Sequence, residues 1–171
     1  MKQRHQGFTL VELMVTLAAA IILLAVGIPF FGGIVANNRA AAQANGLVTA
    51  LSTARSEAVG RADDMTVRPN GSDDWTDGWI VFVDQNADGL FDVGTDEVLR
   101  QWEAPAGSAT IALSSGNSVT FDSSGATGSP AVGFDMDQPD ATGLARRCVT
   151  VTITGQVRTT REDPDETWSC P

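Results

Sequence analysis

Histidine and lysine are almost absent from this chain. Among its 171 residues there is one histidine, His5, and the lysine is Lys2, so both lie within the first seven positions. Without a further imidazole the chain cannot build a Ser-His-Asp or Cys-His nucleophilic centre, or a histidine-ligated zinc or iron site. We therefore exclude the ordinary hydrolases. A glycosidase needs paired carboxylates in a cleft, and the sequence distinguishes no such pair.

Positive charge is scarce as well. Lys and Arg together number 11 against 21 Asp and Glu, which gives a formal net charge of -10. A surface this acidic repels polyanions and argues against a general nucleic-acid binder. Hydrophobic residues form 43% and charged residues 19% of the chain, a balance that excludes both a disordered tail and a polytopic membrane protein. The length suits one compact domain with an added segment.

The N-terminus has the pattern of a membrane segment. Residues 1–7 are polar and basic, and residues 8–36 are apolar apart from Thr9, Glu12 and Thr16. A bilayer crossing needs about 20 apolar residues, so this run is long enough. The basic flank predicts a cytoplasmic N-terminus, with the rest of the chain outside. The alternative is a cleaved secretory signal with its cut near the alanines of the run, but the apolar residues continue well beyond them.

Glu12 lies inside the apolar run, where a carboxylate costs about 2.5–3.5 kcal/mol to insert and is usually functional. It belongs to the motif GFTLVEL at 7–13, which resembles the type III signal of type IV pilins and pseudopilins. The resemblance implies that prepilin peptidase cuts after Gly7 and methylates the new N-terminal Phe8. It also implies that Glu12 meets the N-terminal ammonium of a neighbouring subunit during assembly, because buried opposite charges cost far less together than apart.

A long helix followed by short strands is predicted beyond residues 1–7, the leader peptide. Small apolar residues recur every three or four positions after residue 36, so one helix is expected, with 8–36 in the membrane and 37–61 as an amphipathic stem. Residues 62–171 are expected to form a β-rich head, which makes the class α+β, a helix packed on an antiparallel sheet. The predicted strands are 65–68, 79–83, 98–102, 110–113, 119–122 and 148–158. The Gly/Ser/Asp-rich stretch 107–145 is expected to form variable loops.

Further segments are similar to the GspH/FimT group of minor pilins. They are NR at 38–39, ARSEA at 54–58, DGWIVFVD at 77–84, VLR at 98–100 and GQVR at 155–158. The resemblance implies the type IV pilin fold and a non-catalytic role in a type IV pilus or type II secretion filament, in initiation or at the tip. The implied partners are other pilins or pseudopilins, prepilin peptidase and the inner-membrane assembly platform. The implied location is the bacterial inner membrane, crossed once, with the head in the periplasm and later in the filament.

Two cysteines are present, Cys148 and Cys170. A pair in a segment expected outside the cytoplasm suggests a disulfide that ties the C-terminal tail to the last main strand. By loop entropy such a bond contributes about 3 kcal/mol to stability. Two free thiols are the alternative.

One acidic loop has half of a calcium-binding pattern. Asp84, Asn86 and Asp88 occupy positions one, three and five, a glycine stands at six, and Asp92 at nine. Position twelve is Thr95, which lacks the bidentate carboxylate of a complete loop. The sequence therefore favours an acidic hairpin loop shaped by its Asp, Asn and Gly residues. No cofactor is expected, and calcium is the alternative.

Several arginines lie near the C-terminus of this acidic chain, and they make DNA a candidate partner. Some FimT-type minor pilins bind DNA during natural transformation, through arginines near a Gly-Arg-x-Arg motif. The matching segment here is GQVR, so Gln156 replaces the first arginine. A DNA-binding pilin for uptake is therefore the alternative function, and a solvated or salt-bridged tail is favoured over it. The candidate DNA-binding residues are Arg146, Arg147, Arg158 and Arg161.

Overall fold

The computed structural model describes residues 8–105, 107, 109–128, 130–138, 146–161 and 170. The side chains at 26 and 28–31 are outside this description, as are the predicted leader and Gly7. In the part of the chain that is described, no helix combines the length and the hydropathy needed to cross a membrane.

The first element is a single helix, α1, from Leu10 to Arg61. Thr9 caps its N-terminus, because the threonine side chain accepts a hydrogen bond from the backbone N–H of Glu12 at 3.2 Å. At the other end Ala62 takes the left-handed conformation, with φ 55°, and its N–H bonds the carbonyl of Ala58. The predicted helix of 8 to about 60 is confirmed, and α1 continues without a break through position 29, where proline removes one backbone donor.

The two halves of α1 have different surroundings. In the exposed half, residues 10–35, those apolar side chains that the structure describes remain in contact with solvent, and Leu10 and Leu23 are each 74% exposed. In the packed half, residues 36–61, Leu47 and Leu51 are fully buried. The buried stripe of the packed half is completed by small residues, namely Ala36, Ala40, Ala44, Ala50, Ala54 and Ala58. Alanines let the helix axis approach the head closely, as the predicted spacing required.

Within the described residues, the head has eight strands in two four-stranded antiparallel sheets. The first sheet has the order β3-β2-β1-β5, and the second has the order β4-β6-β7-β8. The strands are β1 (Met65–Pro69), β2 (Trp79–Val83), β3 (Glu97–Trp102), β4 (Thr110–Leu113), β5 (Val119–Phe121), β6 (Val132–Asp137), β7 (Arg147–Val151) and β8 (Val157–Arg161). Both sheets contact the packed half of α1, so the hydrophobic core lies between the helix and the sheets.

Two sequence predictions about the head are wrong. The predicted strand 148–158 is a hairpin of β7 and β8, because residues 152–156 form a turn closed by the bond from Thr152 N to the Gln156 carbonyl at 3.0 Å. The stretch 107–145, expected to form variable loops apart from the strands predicted at 110–113 and 119–122, contains β6 as well as β4 and β5. Strand β6 was missed because a glycine and an aspartate separate its three buried apolar residues and a second aspartate follows them.

The Cys148–Cys170 disulfide is formed, with the two Cα atoms 5.6 Å apart. Cys148 lies in β7, in the middle of the second sheet. The bond therefore attaches the end of the chain to a central strand, as the sequence suggested.

Arg55 of the packed half holds two turns of the head against the helix. Its Nε donates to the carbonyl of Gly125 at 3.0 Å, and its Nη2 donates to the carbonyl of Thr154 at 3.2 Å. The two turns meet there: a Cβ atom added to Gly155 would overlap the Gly125 carbonyl oxygen and lie 2.9 Å from Arg55 Nε. Gly155 also has φ +74°. We call this contact the Arg55 clamp.

Gly155→Ala is expected to destabilise the protein by opening the Arg55 clamp. The left-handed backbone costs an alanine about 1–2 kcal/mol, and the overlap adds about 1–3 kcal/mol. The matched control is Gly71→Ala, since Gly71 has the same φ of +74° and open space around its Cβ position. Chemical denaturation of the full chain in detergent should show a larger loss of unfolding free energy for Gly155→Ala. Equal losses would contradict the clamp.

Candidate functional site

The predicted assembly residues lie at the tip of the exposed half of α1. Phe8 is 84% exposed, just before the helix, and Glu12 is exposed in its first turn. A carboxylate is favourable there because the helix dipole places partial positive charge at the N-terminus. Glu12 is thus a charged group in an otherwise apolar, unshielded surface. Such a surface can accept a second apolar helix whose own cation reaches the carboxylate.

The acidic loop between β2 and β3 is held together by its own backbone. Asp84 is only 3% exposed, and its carboxylate accepts hydrogen bonds from Gly89 N at 2.8 Å and from Asp88 N at 3.3 Å. Asn86 donates its side-chain amide to the carboxylates of Asp88 and Asp92, at 3.0 and 3.1 Å. The carboxylates of the calcium pattern therefore accept hydrogen bonds from N–H groups of the loop itself.

Asp96, one place after position twelve of the calcium pattern, organises the same loop. One of its oxygens accepts from Gln85 N at 3.1 Å and the other from Asp92 N at 2.8 Å. Among the residues that the structure describes, no group of three or more His, Cys, Asp or Glu side chains is placed to hold a metal ion. The geometry is that of an acidic turn in which aspartate carboxylates accept hydrogen bonds from backbone N–H groups.

The four arginines proposed for DNA binding do not share one face. Arg146 donates from Nε and from Nη2 to the two carboxylate oxygens of Asp135, whose charge offsets that of the guanidinium. Arg147 points to the helix, where its Nη2 donates to Asn37 Oδ1 at 3.2 Å. Burial, and then the charge of Arg161, lower the pKa of Arg147 below the usual arginine value.

Arg158 and Arg161 lie three residues apart on the edge strand β8, so their side chains leave opposite faces of that strand. Both are exposed. Arg158 borders an open groove of about 580 Å³ between the packed half of α1 and the β7–β8 turn. Arg161 pairs in register with Arg147, at the other end of the strand. The arginines thus form two separate sites instead of one basic patch.

Arg55 is the residue whose role the sequence reasoning missed. The segments ARSEA and GQVR lie about 100 residues apart in the sequence, yet the clamp places Arg55 beside Thr154 and Gly155, so the two segments meet in space. An arginine directly beside the buried positions Ala54 and Ala58 was the available signal, because a charge at the edge of a packed stripe needs a partner there.

A long N-terminal helix, half exposed and half packed on antiparallel sheets, defines the type IV pilin fold. The family described as Type II transport protein GspH matches residues 43–156, about two-thirds of the chain, and the chain belongs to this family. The prokaryotic N-terminal methylation motif matches residues 2–28. The resemblance to GspH/FimT minor pilins is thereby confirmed.

The fold is also found in the type IV minor pilin FimU of Pseudomonas aeruginosa. One crystal form gives a TM-score of 0.58 at 22% identity, over 78% of this chain and 93% of that chain. A second crystal form gives a TM-score of 0.53 at 23% identity, over 77% of this chain and 94% of that chain. A search among curated proteins gave no match.

Calcium is expected to leave this protein unchanged, because the loop carboxylates accept hydrogen bonds from within the loop and, in the described residues, no three of them are placed to hold one ion. Calorimetric titration of the full chain in detergent with calcium chloride should give no saturable heat, and the melting temperature should not rise. Magnesium chloride at the same ionic strength is the control. Saturable heat with calcium alone, lost in Asp88→Asn, would show that the loop rearranges to bind the ion.

Proposed function

We propose that this protein is a non-catalytic minor pilin or pseudopilin that enters the filament of a type IV pilus or of a type II secretion system. Prepilin peptidase cuts it after Gly7 and methylates Phe8. The exposed half of α1 then anchors the protein in the inner membrane, with its head in the periplasm. The assembly platform extracts it from there, and it joins other pilins at the start or the tip of the filament.

The observation that carries this proposal is the contrast between the two halves of one helix. A soluble protein would have to cover the apolar side chains of residues 10–25, and here they stay exposed while the packed half builds the core. The methylation motif covers the same region. An apolar rod with a single carboxylate in its first turn suits storage in lipid and packing against equal rods of other subunits.

A role as a DNA receptor in natural transformation has less support. It would need several phosphate contacts on one surface, because these dominate the affinity for DNA. Arg146 is neutralised by Asp135, and Arg147 and Arg158 belong to different sites. Exposed Arg158, on the groove beside Gln156, is a feature that favours DNA.

Glu12→Gln should abolish assembly and preserve processing. Removal of the carboxylate leaves the neighbouring ammonium uncompensated, at a cost of about 3–5 kcal/mol, so the amount incorporated into filaments should fall about ten-fold or more. The measurement is complementation of a clean deletion, with filament incorporation, twitching motility, DNA uptake and protein secretion assayed in parallel. Cleavage after Gly7 is followed by mass spectrometry.

The control is Glu57→Gln, which removes the same charge from the packed half, where Glu57 pairs with Arg61 at 2.9 Å. This variant should complement fully. Full complementation by Glu12→Gln would refute the assembly role. Loss of secretion alone on deletion would assign the protein to a secretion system, and loss of DNA uptake alone would favour the receptor alternative.

A further inference from the structure

Asparagine or aspartate directly precedes glycine at four positions of this chain, namely Asn45-Gly46, Asn70-Gly71, Asp77-Gly78 and Asp88-Gly89. Such pairs are reactive, because glycine has no Cβ to keep its backbone nitrogen away from the carbonyl carbon of the preceding side chain. When that nitrogen attacks the carbon, a five-membered succinimide ring closes. The structure decides at which pair the glycine nitrogen is available for this reaction.

Three of the four glycine N–H groups are held by hydrogen bonds. Gly46 lies inside α1, where each N–H bonds the carbonyl four residues earlier. The N–H of Gly78 bonds the carbonyl of Trp75 at 3.3 Å, and the N–H of Gly89 bonds the carboxylate of Asp84 at 2.8 Å. At each of these pairs the attack would first have to break a hydrogen bond and rearrange the local backbone.

Gly71 is the exception. Within the described part of the chain its N–H makes no hydrogen bond, and a Cβ atom added to it would meet nothing within 4 Å. The side-chain amide of Asn70 has no hydrogen bond among these residues either. Both residues line an open groove of about 530 Å³, so water reaches them. The nucleophile, the electrophile and the water that the reaction needs are therefore all available in the turn between β1 and β2.

We propose that Asn70 is a site of spontaneous deamidation. The backbone nitrogen of Gly71 bonds to Asn70 Cγ, the Cγ–Nδ2 bond breaks, and the side-chain nitrogen leaves as ammonia with the proton that the Gly71 nitrogen loses. Water then opens the ring at one of its two carbonyl carbons. Breakage of the new bond to Cγ gives aspartate at position 70, and breakage of the original peptide bond gives isoaspartate. The reaction needs no oxidant, metal or enzyme.

Either product changes the turn. Each adds a carboxylate to the segment in which Arg68 and Asp73 lie 3.8 Å apart, and makes the net charge of the chain more negative by one. Isoaspartate also routes the main chain through the side chain, which lengthens the backbone by one methylene. This extra group falls directly after β1, where the N–H of Asn70 bonds the carbonyl of Gly78 at 3.0 Å. The head therefore becomes more acidic, and this turn longer, with time after synthesis, whatever filament the protein enters.

Peptide mapping by mass spectrometry tests the proposal. The full-length protein is incubated in detergent at neutral pH, and samples are digested after increasing times. The peptide that contains position 70 should gain about 1 Da in a growing fraction of molecules, in two chromatographically separate forms, and the peptide that contains Asn45 should not. In concentrated urea, where α1 is unfolded, both asparagines should react.

Gly71→Ala should lower the modified fraction several-fold, because the added methyl group hinders the attack. The matched control is Gly116→Ala, since Gly116 has nearly the same φ, +73° against +74°, and equally open space, but follows a serine. This control should react at Asn70 as the wild type does. The proposal would be overturned if Asn70 stayed intact in the folded protein while Asn45 reacted in urea. It would also be overturned if both asparagines reacted equally in the folded protein, or if the two variants behaved alike.

Discussion

The structure depends on one helix remaining continuous while its surroundings change. An α-helix satisfies its backbone hydrogen bonds internally, so it can pass from lipid or from a bundle of other helices into a protein core. Only the side chains need to differ. In α1 large apolar residues cover the exposed half, and alanines with two leucines line the packed half. The head can therefore be attached rigidly to a rod that still has a free apolar surface.

The attachments of the head to that rod are local and specific. The Arg55 clamp joins the β5–β6 and β7–β8 turns to the packed half, and the disulfide joins the chain end to β7. Both attachments fix turns and tails, whose own apolar residues are too few to hold them. A rigid head is what an assembling subunit needs, because its neighbours must find the same surface in every copy.

Local sequence patterns predicted most of the helices and strands, but they could not predict contacts between segments that are distant in the sequence. Period-three and period-four spacing predicted α1, and the continuous apolar run of residues 79–83 predicted β2 with its observed bounds. Strand β6 was not predicted because only three apolar residues carry its alternation. The turn at 152–156 was not predicted because threonines continue the alternating strand pattern through it. The roles of Arg55 and Asp96 depend on carbonyls and amides supplied by other parts of the chain, which a sequence pattern does not display.

The central claim is that the exposed half of α1 is a surface for other pilin subunits. Photo-crosslinking in cells tests it most directly, with a photoreactive amino acid placed at Leu17, which is 55% exposed, or at Val93, which is 92% exposed in the distant acidic loop. The account predicts adducts with other pilin-like subunits from position 17 and none from position 93. It would be contradicted if position 17 gave no such adducts, or if both positions gave them equally.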